Sequence, residues 1–161
     1  MYKRQGGSGI DGSLNITVES FTGTITSAGV DYTAGSLSSI FVTGGNGTDA
    51  QCGFQVLGIE GETTNKGASY SDGLYNDVPF TGGNGTGGKF SCSVNAGEVE
   101  GVNITDSGTG YRSGDVLGVN NADLGGSGAG FAYTVSSDAG QIDPATFQFT
   151  DKGTGYQVGD V

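Results

Sequence analysis

The chain of 161 residues contains no histidine and no tryptophan. Without histidine there is no imidazole general base, no histidine-dependent triad and none of the usual zinc ligand sets. Positive charge is scarce too: six Lys and Arg stand against 17 Asp and Glu, for a net charge of −11. Nucleic acid and anionic membrane surfaces both require a basic track, so neither is expected as a partner. The acidic residues are scattered, which fits the solubility of a glycine-rich surface. No apolar run is long enough to span a bilayer. No Gly-Lys-Ser/Thr follows a strand-like run, and no Gly-x-Ser-x-Gly stands between a strand and a helix, so a phosphate loop and a nucleophile elbow are both missing. No window holds a sustained helical period with caps, so helix is expected to be essentially absent.

What the chain does have is glycine, 34 residues of it, arranged periodically. The motif Thr-x-x-Gly-x-x-Tyr-x-x-Gly occurs four times, as Thr26-Gly29-Tyr32-Gly35, Thr64-Gly67-Tyr70-Gly73, Thr105-Gly108-Tyr111-Gly114 and Thr150-Gly153-Tyr156-Gly159. A Gly-Gly-x-Gly turn precedes each copy, starting at Gly6, Gly44, Gly82 and Gly125, with spacings of 38, 38 and 43 residues. A third block alternates apolar residues and ends in valine: Leu14-x-Ile16-x-Val18, Cys52-x-Phe54-x-Val56, Phe90-x-Cys92-x-Val94 and Phe131-x-Tyr133-x-Val135. Three blocks in one order at nearly one period define tandem repeats. They divide the chain into residues 6–43, 44–81, 82–124 and 125–161, the last one truncated.

Alternation at period two marks a half-buried strand. Each repeat is read as about three short strands: the valine run, the segment around the threonine, and a run after the tyrosine (Leu37 to Val42, Leu74 to Phe80, Val116 to Val119). The fold class expected is therefore all-β, with modules stacked as a solenoid-like row, or intertwined as a trimeric β fibre. Apolar residues are thin on the ground, so each module's core is small. The tyrosines read as packing residues, ring inward and hydroxyl toward backbone or water. A sugar-stacking ladder is the sharper alternative and requires exposed rings. Cys52 and Cys92 fall on inward strand positions, where cysteine behaves as a small hydrophobe and a free thiol.

The distance from the valine to the next threonine varies, at 8, 8, 11 and 15 residues, while the spacing inside the Thr-Gly-Tyr-Gly motif never changes. The insertions centre on hairpins expected at Asn95-Ala96-Gly97 and Asp138-Ala139-Gly140. Insertions in repeat proteins collect on one face, often a contact face, and equally arise by drift. A carboxylate pair for glycoside hydrolysis would have to come from Glu98, Glu100, Asp106 and Asp115, which lie in loops that the sister repeats do not all share. Gly6 to Asp11 and Gly44 to Asp49 match the opening of a calcium-binding nonapeptide repeat, but the period is near 38 rather than nine. Calcium candidates are thus limited to Asp11, Asp49, Asp115 and Asp160, and no other cofactor or metal is expected.

Two resemblances complete the reading. Met1-Tyr-Lys-Arg-Gln5 resembles the translation of a transposase sequencing adapter, which implies that residues 1–5 are not native and that the chain is a fragment of a metagenomic reading frame. Gly108-Thr-Gly-Tyr111-x-x-Gly114-Asp-Val-Leu117 and Gly153-Thr-Gly-Tyr156-x-x-Gly159-Asp-Val161, with the Gly-Gly-x-Gly turns, resemble the glycine-rich repeats of virion structural proteins of marine and cyanobacterial tailed bacteriophages. The first two repeats depart from that pattern at Ser36-Leu37 and Leu74-Tyr75. The resemblance implies a tail, tail-fibre or virion-surface component that is not an enzyme. Its partners would be other virion proteins, further copies of itself in a homotrimer, or a cell-surface glycan. The alternatives are a secreted or cell-surface adhesin with calcium-stabilised repeats, and the carbohydrate-binding part of a larger enzyme.

Overall fold

A computed structural model describes residues 10–17, 22–157 and 160. Among them are eleven strands: β1 (Ile10–Thr17), β2 (Thr22–Val30), β3 (Gly35–Phe41), β4 (Thr48–Val56), β5 (Gly61–Ala68), β6 (Gly73–Pro79), β7 (Thr86–Asn95), β8 (Glu98–Thr109), β9 (Val116–Leu117), β10 (Ala129–Val135) and β11 (Ile142–Thr154). The single helical element is a 3-10 turn at Asn121–Leu124. The protein is all-β. Its sheets are small, antiparallel and open: β1-β2, β11-β4-β3, β6-β7-β8 and β5-β10-β9.

The valine runs become the central strands β4, β7 and β10. Alternation puts Cys52, Phe54 and Val56, then Phe90, Cys92 and Val94, then Phe131, Tyr133 and Val135 on buried faces. Each central strand gains one neighbour from the repeat before it: β3 pairs with β4, β6 with β7 and β9 with β10. A repeat read from the sequence is therefore not a sheet. Its last strand belongs to the sheet of the next repeat.

The second neighbour follows two different rules. In the third repeat β7 and β8 form a two-residue hairpin in which Asn95 faces Glu98. Ala96 and Gly97 both have positive φ, 53° and 78°, as a tight turn matched to strand twist requires. In the second and fourth repeats no hairpin forms. β4 pairs with β11 and β10 pairs with β5, so the two repeats exchange their threonine strands. The hairpin expected at Asp138-Ala139-Gly140 is instead a crossover, and so is the link from β4 to β5.

The exchange divides the chain into two compact units, one formed by residues up to Leu57 and from Gly140, the other by Gly58–Ala139. Each has its own core. In the first, Tyr32, Cys52, Phe54, Val56 and Ile142 cluster. In the second, Phe80 stacks on Phe90 at 4.5 Å between ring centres, and Phe90 on Phe131 at 5.5 Å, within a larger cluster that includes Tyr70, Tyr111, Leu117 and Leu124. Cys52 and Cys92 are buried free thiols, one in each unit. Burial pushes the Cys52 thiol up to about 11.

The two glycines of the motif are not equivalent. Gly108 has φ +52°, and a Cβ there would strike the Thr86 carbonyl and the Gly88 nitrogen on β7. Gly73 lacks a positive φ, and its nearest neighbour to an added Cβ is Tyr75 at 3.5 Å. Chemical denaturation should show Gly108→Ala losing about 2 kcal/mol or more, because strain and collision add. Gly73→Ala should stay within about 0.5 kcal/mol of the parent.

Candidate functional site: the tyrosine corner and the glycine turn

The motif begins on the solvent side of a strand. Thr26, Thr64, Thr105 and Thr150 are all exposed, and Thr64 Oγ1 meets Thr134 Oγ1 across the β5-β10 pair at 3.1 Å. The next residue turns the chain. Asn65 Oδ1 accepts the Gly67 N–H at 2.9 Å, Asp106 Oδ1 the Gly108 N–H at 2.9 Å, and Asp151 Oδ1 the Gly153 N–H at 2.8 Å. A short side chain that accepts from the backbone two residues on is the natural start of a tight turn. The motif glycine that follows, Gly29, Gly67, Gly108 or Gly153, takes positive φ in every copy.

The tyrosine then swings onto a Gly-Gly-x-Gly turn. Tyr111 lies on Gly85, Tyr70 on Gly128 and Tyr156 on Gly47, in each case where a Cβ would collide with the ring. The last glycine of each turn is thus the floor of a ring-sized slot. Tyr111 is 2% exposed and Tyr70 5%. Their hydroxyls reach the strand after the turn. The Gly88 N–H donates to Tyr111 Oη at 3.3 Å, and the Phe131 N–H donates to Tyr70 Oη at 3.2 Å. Burying a tyrosine is favourable when its hydroxyl finds such a partner. Tyr32 is also buried, against Gly12. The turn at residues 6–9 and Gly159 lie outside the described residues, as do Met1 to Gln5. Gly35 and Gly114 close their corners with positive φ, and nothing lies within 4 Å of an added Cβ.

Two corners carry a further clasp. The Asp115 carboxylate accepts the Asn84 N–H at 2.9 Å, the Asn84 side-chain amide at 2.7 Å and the Arg112 N–H at 3.0 Å. The Asp160 carboxylate repeats the pattern with the Asn46 N–H at 3.1 Å, the Asn46 amide at 3.0 Å and the Gln157 N–H at 2.9 Å. The backbone N–H groups of Asn84 and Arg112 hold the Asp115 carboxyl below the usual carboxylate range, and those of Gln157 and Asn46 do the same for Asp160. The sequence shows these aspartates but not their purpose, since their turn partners lie 31 and 114 residues away.

The other acidic candidates are dispersed. Asp49 sits at positive φ and accepts the Thr48 hydroxyl at 3.1 Å. The side chain of Asp11 lies outside the described residues. Among the described residues no three Asp, Glu or Cys side chains gather in a way that would hold a metal ion. Glu100 forms an exposed ion pair with Lys66 at 3.1 Å, of a kind that adds little stability. Asp106 serves its own turn, and Glu98 opens β8 at the hairpin. The inserted tips are structural as well. The Gly97 carbonyl accepts from Tyr70 N–H and the Gly97 N–H donates to Asp72, while Asp138 accepts from Ser113 N–H and Ala139 is buried.

No family model, curated protein or solved structure matches the chain. The site must therefore be read from its own geometry. What that geometry does is hold backbone: aromatic rings fill glycine slots, and carboxylates gather N–H donors.

Both clasping carboxyls have folded pKa values below their unfolded ones. Their contribution is present above the unfolded pKa, near 4, and is lost as pH falls through the depressed folded value. The melting temperature should be level above about pH 5 and drop below about pH 4. Asp115→Asn should melt lower at neutral pH and lose less on acidification, so that the two melting curves converge toward pH 3. Parallel curves would show that the clasp carries no pH dependence.

Proposed function

We propose that this chain is a non-enzymatic structural segment of a virion protein of a tailed bacteriophage, a spacer or receptor-contacting β-repeat. The observation that carries the reading is the use made of the repeated residues. The tyrosine rings that would have to be exposed for sugar stacking are buried at Tyr32, Tyr70 and Tyr111. Asp106 and Asp115, which would have to converge for hydrolysis, accept backbone N–H groups at separate turns. A chain whose most specific side chains are spent on its own backbone is suited to bearing load and spacing, rather than to turnover. The resemblance of the Gly-Asp-Val corners to phage virion repeats supplies the setting.

Within this reading the modules form a solenoid-like row. Each of the two cores is completed by one chain, which favours the row over an intertwined trimer. Other virion proteins are the expected neighbours. Sequencing outward from this reading frame tests the assignment. It should reveal a longer repeat protein among genes for tail or capsid components. Neighbours that all encode cellular metabolism would overturn it.

A further inference from the structure

Two repeats exchange strands, and the exchange coincides with a difference in their corner residues. The third residue of the Gly-Gly-x-Gly turn is Ser8, Asn46, Asn84 and Ser127 in the four repeats. The residue after the motif's second glycine is Ser36, Leu74, Asp115 and Asp160. In the third repeat the Asn84 turn meets its own Asp115 corner. The Asn46 turn of the second repeat meets the Asp160 corner of the fourth. The Ser127 turn of the fourth repeat meets the corner of the second, where Tyr70 lies on Gly128 and the Ser127 hydroxyl donates to the Ser69 carbonyl at 3.4 Å. Leu74 there is 84% exposed and touches no turn amide.

Pairing in sequence order would break both matches. The Asn46 turn would face Leu74, which offers no acceptor for the two donors that Asp160 now receives. The Ser127 turn would face Asp160 with a hydroxyl in place of a side-chain amide. The tyrosine slots and the strand registers do not discriminate. Thr134 faces Glu62 and Gln55 faces Asp143 at equivalent rungs, so β4 would fit β5 as well as it fits β11. We infer that the match of asparagine turn to aspartate corner is a pairing code, and that it directs the second and fourth repeats to exchange their threonine strands. Asn46 and Asp160 are its selecting pair. Ser127 and Leu74 act by lacking the complementary group, which penalises the sequential partner without stabilising the exchanged one.

Paired cysteines read the connectivity. Gln55→Cys with Asp143→Cys reports the exchanged pairing. Gln55→Cys with Glu62→Cys occupies the rung that sequential pairing would create. In the parent background, oxidation of the folded monomer should close the first pair and leave the second open. Exchanging the turn residues, by Asn46→Ser with Ser127→Asn, should reverse that preference, with the 55–62 bridge becoming the major product. Exchanging the corner residues, by Leu74→Asp with Asp160→Leu, should do the same and carries the test if the turn variant does not fold. Closure of 55–143 in the recoded chains as complete as in the parent would overturn the code. Closure of 55–62 in the parent would overturn the exchange itself.

Discussion

A tyrosine ring laid on a glycine is the contact on which the rest of this structure depends. The fourth glycine of each described turn leaves a slot that any Cβ would fill. The ring occupies it, and for Tyr70 and Tyr111 the hydroxyl goes on to accept a backbone N–H from the strand that the turn introduces. One side chain thus joins three backbone segments: its own corner, the turn and the strand. Without α-helices and with small sheets, the chain has few other ways to fix a turn relative to a corner. Hydrophobic burial of an aromatic body supplies the energy, and the buried hydrogen bond supplies the orientation.

The sheets follow from that contact. Once a turn is seated on a tyrosine, the strand after the turn is set beside the strand before the tyrosine, and the alternating residues of β4, β7 and β10 face a core. The same contact is indifferent to which repeat supplies the tyrosine, and for that reason strand exchange is available at all. Each unit then closes a core from three different repeats, with Ile142 of the fourth beside Cys52 of the second, and Phe131 of the fourth beside Phe90 of the third. Stability is shared among repeats, in the manner of repeat proteins, although the sharing is not only between neighbours in sequence.

Much of the local structure was legible in the residues. Phe90-x-Cys92-x-Val94 announces a half-buried strand because side chains alternate across a sheet, and Asn95-Ala96-Gly97 announces a two-residue hairpin because glycine accepts positive φ. The inward placement of Cys52 and Cys92 followed from the same alternation. The partners of these strands were not legible. Val56 and Val135 are followed by links that look like the one after Val94, and nothing local separates a hairpin from a crossover. Asp115 and Asp160 stood out from Ser36 and Leu74 at the same position, but their meaning depends on Asn84 and Asn46, which lie far away in sequence. The inserted tips at Gly97 and Ala139 were read toward an outer contact face, while in the structure their backbones brace the corners at Tyr70 and Tyr111. Insertion length reports tolerance of the chain to growth and not the direction in which it grows.

Amide hydrogen exchange at Gly88 and Phe131 tests the central contact most directly. These two N–H groups donate to the buried hydroxyls of Tyr111 and Tyr70. If the tyrosine on its glycine slot holds the fold, both amides exchange only through opening of the whole unit, as slowly as the amides of the central strand β7. Exchange at Gly88 and Phe131 as fast as at the exposed Asn95 and Ala96 tip, with β7 still protected, would contradict the account and leave the tyrosine as a passenger on an independently stable sheet.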